Sequence, residues 1–315
     1  IPITHTYRSY LPLTLQVNLI RSEYIVALWR KGHRLKRNQD LDEDAFCVQD
    51  ARLHATRAVI VISYPWIEAE HPDPCGWHLS TLAPLLQRFS ETYGKAAVFF
   101  DFMSLPQTPR TDAETALFKA ALPSMQYLYA HQHTWVWILK KLPSHVERSY
   151  DDRGWTFFEQ SVSSWIKDRS KYIDLGLLNI APTSVRDFYQ EVERTCASHR
   201  GQPLTPSRFR DEIMLRAFTN KADHQLVAQL YERCFDEVLS EVHELDFRSL
   251  GWTDVDMLLE VLQTAKPPFL RRLLLNGNPI DDPSVPTRLR EALGENHQDV
   301  QLGIDRTEER IQEDP

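Results

Sequence analysis

Three short apolar runs, "AVIVIS" (58–63), "KAAVFFDF" (95–102) and "TWVWIL" (134–139), recur along the chain with helix-like segments between them. They are rich in β-branched and aromatic residues and do not alternate with polar ones. That pattern fits strands covered on both faces. The segment around Leu82, Leu85, Leu86 and Phe89 and the stretch "FKAALPSMQYLYA", with its internal proline, are amphipathic. Strands alternating with helices predict an α/β fold with a parallel sheet flanked by helices. Ligands of such sheets sit beyond the carboxyl ends of the strands, which here means near Ser63, Tyr64, Asp101 and Ser104.

The flanks read differently. Residues 1–57 are expected to be an N-terminal helical extension in which Leu19, Tyr24, Ile25 and Leu28 form one face ended by Gly32. The basic run "RKGHRLKR" within it is read as a solvated helix end complementing the helix dipole, with a phosphate-binding patch as the alternative. The α/β region extends over 58–182, and 183–242 is a helical segment. Its best face carries Leu226, Val227, Leu230, Phe235, Val238 and Leu239. Over 243–294 a repeat emerges: "FLRRLLLNGNPI" fits LxxLxLxxNxI, and Val242, Leu245, Phe247 and Leu250 reproduce its front half. Leu245 and Leu273 lie 28 positions apart, and the pattern resembles two leucine-rich repeats with a helix in each. Two repeats bury too little by themselves, so they must dock on the preceding helices or continue in a partner. Residues 295–315 are expected to be a polar, peripheral tail.

Composition narrows the function. A net charge of −8 argues against a nucleic-acid partner, which needs a positive surface to displace counterions. Four scattered cysteines (Cys47, Cys75, Cys196 and Cys234), with no CxxC pair, predict a reducing, intracellular compartment; no organelle is indicated. The most apolar early stretch is broken by Arg21 and Glu23, so no membrane span and no signal peptide are expected. A start at Ile1 rather than methionine leads us to expect a trimmed or processed N-terminus.

Four pieces in order make residues 58–180 resemble a Toll/interleukin-1 receptor (TIR) domain: "VISY" (61–64), "VFFDFMSL" (98–105), "TWVWIL" and "GWTFFE" (154–159). The last is similar to a W-C-x-x-E element, with Thr156 in place of cysteine. An unrelated flavodoxin-like domain is the alternative. The sequence departs from the TIR pattern in its long "HPDPCGWH" loop, in "PQTPRTD" after the second strand, and in the extra helical segment. The resemblance implies either an adaptor that only associates or an enzyme that cleaves the nicotinamide–ribose bond of NAD with the glutamate of that element, here Glu159. The related nucleoside deoxyribosyltransferases also use a carboxylate near a sugar.

Glu159 lies at the edge of an apolar stripe formed by Trp155, Phe158, Val162, Trp165 and Ile166. A desolvated carboxylate there has a raised pKa and suits an oxocarbenium-like transition state. The structural alternative is an acid that complements the helix start. Asp101 is either a ligand carboxylate or a turn former, and Ser63, Tyr64 and Ser104 offer hydroxyls to a phosphate or ribose. Trp66, Trp77 and Trp155 are candidates to stack on a base or to anchor packing. His71, Cys75 and His78 have poor spacing for zinc, so no metal is expected. No glycine-rich phosphate loop or GxSxG elbow occurs. The leading expectation is an intracellular signalling or scaffold protein that binds other proteins, with self-association included, and has no cofactor. An NAD glycohydrolase, with NAD as substrate, and a fixed subunit of a large assembly are the alternatives.

Overall fold

The computed structural model describes residues 17–47, 57–197, 200–294, 297 and 299–305. The remainder of the N-terminal extension and of the tail lies outside the described residues. The centre is β2 (Ala58–Ser63), flanked in parallel by β3 (Ala96–Phe99) and β4 (Trp135–Ile138), with β5 (Tyr172–Asp174) parallel on β4. A two-residue strand, β1 (Ile20–Arg21), adds antiparallel to β3, giving the order β1-β3-β2-β4-β5. The sequence face expected from Leu19 to Leu28 is therefore split. Ile20 closes the sheet edge, and only Ser22–Arg30 forms helix α1.

Alternation along β2 separates two cores. Ile60 and Ile62 face α1 and α2 (Trp77–Tyr93), whereas Val59 and Val61 face α4 (Asp112–Ala130) and α5 (Gly154–Ser163). With both faces covered, a continuous apolar strand is the stable choice. The connection out of β2 goes to β3 on one side and the next strand, β4, pairs on the other. The order reverses at β2, placing the crevice of the sheet at the carboxyl end of that strand.

The helical segment packs outside α5. It contains the short α6 (Arg194–Cys196), α7 (Pro206–Met214) and α8 (Asp223–Glu241), of which α8 contacts both α4 and α5. Phe209 stacks on Tyr231, and Trp165 meets Tyr231 and Phe235. The chain then enters a second parallel sheet, β6 (Glu244–Asp246), β7 (Arg272–Leu274) and β8 (Gln301–Gly303), with helices α9 (Asp256–Ala265) and α10 (Val285–Leu293) between the strands. Leu245, Leu273 and Leu302 share one register, so the 28-residue spacing seen in the sequence is a strand-to-strand repeat.

Asn278 explains why an amide follows the second repeat strand. Its Nδ2 donates to Phe247 O and Leu275 O, both at 2.7 Å, and its Oδ1 accepts from Leu250 N and Trp252 N at 2.9 and 3.1 Å. One side chain thus satisfies backbone groups of two successive turns. The tail departs from its expected peripheral role, since Gln301–Gly303 supplies the third strand. Its inward apolar signal is only Val300 and Leu302, too short to stand out in the sequence. The repeats share one apolar core with α5, α7 and α8, as docking on the preceding helices requires.

Candidate functional site

Ser63 ends β2 and is fully buried. Its hydroxyl lies 2.5 Å from Glu159 Oε2, and the Tyr150 hydroxyl lies 2.5 Å from Ser63 Oγ. Either hydroxyl can be the donor in the Ser63–Tyr150 bond. Glu159 itself is 8% exposed. Burial pushes its carboxyl up to about 8, hydrogen bonds from Ser63 and Tyr129 pull the other way, and the Asp101 charge adds to the rise. Near neutral pH the group is mostly a neutral acid.

A second carboxylate stands one strand over. Asp101 opens the four-residue helix α3 (Asp101–Ser104) just after β3. It accepts from the Tyr64 hydroxyl, from the Trp66 indole at 3.2 Å and from Phe102 N at 2.5 Å. Burial raises its pKa against the lowering effect of these three donors. Ser104 is committed to the turn, because its hydroxyl accepts from Phe100 N at 3.0 Å. The structure therefore gathers Ser63 with Glu159, and Tyr64 and Trp66 with Asp101. It leaves Ser104 as backbone support.

Trp155 is in neither group. Its indole donates to Asp223 Oδ2 at 3.1 Å, and its ring meets Phe158 and Phe218. The reason is the register of α5. Its apolar stripe faces the helical segment, where Phe158, Val162 and Trp165 join the core with Phe209 and Tyr231. Thr156, Glu159 and Ser163 are buried on the same helix; Glu159 bonds to the end of β2, and Ser163 Oγ lies 3.3 Å from Tyr129 O. Glu159 keeps to the edge of that stripe: the apolar side is covered by the helical segment, and the polar side reaches the sheet and α4.

The loop between β4 and α5 closes the site. Thr156 donates its hydroxyl to Tyr150 O at 2.6 Å and so fixes Tyr150 above Ser63. Lys140 pairs with Asp151 and Asp174 at 3.2 and 3.7 Å. Arg153 donates to Trp66 O at 2.8 Å and to Arg148 O at 3.2 Å, tying this loop to the one after β2. Tyr129 is one apolar position among many in the amphipathic stretch 118–130, and Tyr150 and Arg153 carry no periodic or motif signal, so the sequence marks none of the three as part of a site.

Gly154 fixes where α5 begins. A Cβ at that position would lie 2.0 Å from the Phe218 ring, whose segment is held by Gly154 N to Ala217 O at 3.0 Å and Ala217 N to Asp152 O at 2.8 Å. Gly154→Ala should cost about 1–3 kcal/mol by overpacking. In a Phe218→Ala background the same change should be neutral or stabilising, since alanine favours helix. Urea midpoints of the four chains test this; an equal cost in both backgrounds would refute it.

His71 and His78 are engaged by the protein. His71 Nδ1 accepts from Asp73 N at 2.9 Å, and His78 Nε2 lies 2.9 Å from Pro65 O. Asp73 caps α2 through His78 N and Leu79 N, while Cys75 is exposed. Among the described residues no group of three or more His, Cys, Asp or Glu side chains is placed to hold a metal ion. No protein-family model, curated protein or solved structure matches the chain.

As it stands, the carboxyl end of β2 is filled by the chain's own groups. Ser63, Tyr129 and Tyr150 are buried together around Glu159, which is itself buried.

Proposed function

We propose that this chain is an intracellular signalling or scaffold protein. It binds other proteins through a TIR-like α/β body and a leucine-rich-repeat end, and Glu159 serves the fold rather than turnover. One observation carries this reading: the carboxyl of Glu159 is buried and hydrogen-bonded to Ser63, which Tyr150 covers. A neutral acid in that setting joins α5 to the sheet without an unpaired charge. Four free thiols support a reducing compartment, and no described helix is long and apolar enough to cross a membrane.

A second reading has its own support. A carboxyl whose pKa burial raises to about 8, with Asp101 also raised by burial at the carboxyl ends of the strands, is the kind of perturbed pair that marks active sites. This favours the NAD glycohydrolase alternative, with NAD as substrate and Glu159 as the essential carboxylate.

Thermal unfolding with NAD separates the two. A ligand held with a dissociation constant near 10 µM adds about 2.7 kcal/mol at 1 mM, which raises the midpoint by several degrees. The scaffold reading predicts an unchanged midpoint; a rise that Glu159→Gln removes would favour the enzyme.

A further inference from the structure

A pocket of about 280 Å³ lies at the carboxyl edge of the sheet, outside the Glu159 cluster. Leu139 and Leu175, just past β4 and β5, meet the start of α2 there, and Trp77 and Ile180 complete the apolar walls. Leu139 and Leu175 belong to the core of Ile60 and Ile62, so the pocket sits on the face of the sheet opposite α5. The carboxyl ends of parallel strands are where such sheets hold ligands. Trp77 is 40% exposed yet fixed, because its indole donates to Lys141 O at 3.0 Å. A cavity of about 150 Å³ already takes benzene, so this one has room for a two-ring molecule.

The uncharged polar side chains of the lining are acceptors. Ser80 Oγ and Thr81 Oγ1 donate their protons to Trp77 O, at 2.9 and 3.2 Å, and keep only lone pairs to offer. His78 is fully buried, and its Nε2 lies 2.9 Å from Pro65 O. A carbonyl only accepts, so Nε2 carries the ring proton, and burial favours the neutral ring. Nδ1 is then a bare acceptor, and it is buried with no hydrogen-bond partner. An orphan of this kind costs free energy until something donates to it. Lys141 also lines the pocket; its ammonium is committed to Leu178 O, and its charge repels a cation.

We propose that this pocket binds a small, neutral, flat aromatic molecule the size of indole, which donates a ring N–H to His78. The apolar walls and the fixed Trp77 ring take the aromatic body. Acceptors with no proton to give require a donor on the ligand, and a carboxylate would set its own lone pairs against them. Lys141 selects against positive charge. The inference stands apart from the scaffold reading, because no member of the Glu159 cluster lines the pocket.

The experiment is titration calorimetry of the full chain with indole and with 1-methylindole, which lacks the N–H. Indole should bind at one site with a dissociation constant on the order of 100 µM. 1-Methylindole should bind at least about tenfold more weakly, because Nδ1 stays unpaired. His78→Gln puts an amide nitrogen where Nε2 was, keeping the donor to Pro65 O while removing Nδ1. In that variant the two probes should bind alike. Ile180 is 38% exposed, so Ile180→Arg should melt with the wild type while weakening indole at least about tenfold. No binding of indole up to about 2 mM, equal affinity of the two probes for the wild type, or indole binding unchanged by Ile180→Arg would overturn the proposal. So would a preference for indole that His78→Gln retains. If His78→Gln does not fold, the wild-type comparison of the two probes decides alone. The response to NAD is measured separately, so the scaffold reading survives or fails by itself.

Discussion

Arg200→Met should lower the stability of the fold by about 2–4 kcal/mol and loosen the repeat end first. Arg200 is 2% exposed and bridges the two halves of the chain. Its guanidinium donates to Ser164 O just past α5 at 3.1 Å and to Asp246 O on β6 at 2.5 Å, and it faces the Phe247 ring at 5.6 Å. Its own carbonyl accepts from Trp252 Nε1 at 2.8 Å. Burial pulls the guanidinium down to about 10, partly opposed by Asp246, so it remains charged at neutral pH. Methionine fills similar space and relieves the buried charge, but it leaves two carbonyls unpaired. Each orphan costs about 1–3 kcal/mol, so the loss outweighs the relief. Arg200→Lys keeps the charge without the planar fork and should fall between the two. Urea midpoints measure the total, and hydrogen exchange at Leu245 and Phe247 should speed up before exchange in β2 does. Uniform acceleration across both sheets would contradict this account of the joint.

Glu159→Gln should abolish the pH dependence that Glu159 imposes on stability. The folded carboxyl holds its proton up to about 8, whereas the unfolded one releases it near the ordinary value of 4.5. Between those values the folded state binds more protons, so stability is full below the lower value and is lost as pH rises through the higher one. The slope is about 1.4 kcal/mol per pH decade, or about 4 kcal/mol between pH 5 and pH 8. Glutamine accepts the same bond from Ser63 and does not ionise. The variant should therefore match the wild type near pH 5 and exceed it by that amount near pH 8. Parallel pH profiles of the two urea midpoints would show that the carboxyl is not desolvated as described.

The sheet was readable from the sequence because β2, β3 and β4 are buried on both faces, and few residue types tolerate that. The repeat spacing was readable because Leu245 and Leu273 occupy equivalent inward positions. The site was readable only in part. Glu159, Ser63, Tyr64, Trp66 and Asp101 do gather at the strand ends, where the order of strands sends them. A stripe such as Trp155, Phe158 and Val162 says that something apolar covers α5, not which element does. Here α7 and α8 take that place, and Thr156 and Glu159 bond instead to Tyr150 O and the end of β2. Tyr150 and Arg153 act from an irregular loop, where partners are set by tertiary position. Strands as short as β1 and β8 are stabilised by their neighbours and leave no pattern of their own.

Incubating the purified chain with NAD and following free nicotinamide tests the central claim most directly. If the Ser63–Glu159–Tyr150 cluster is structural, the wild type and Glu159→Gln should both release no more nicotinamide than buffer does. Sustained turnover by the wild type, abolished by that single substitution in a chain that still folds, would contradict the claim and make Glu159 the centre of an active site.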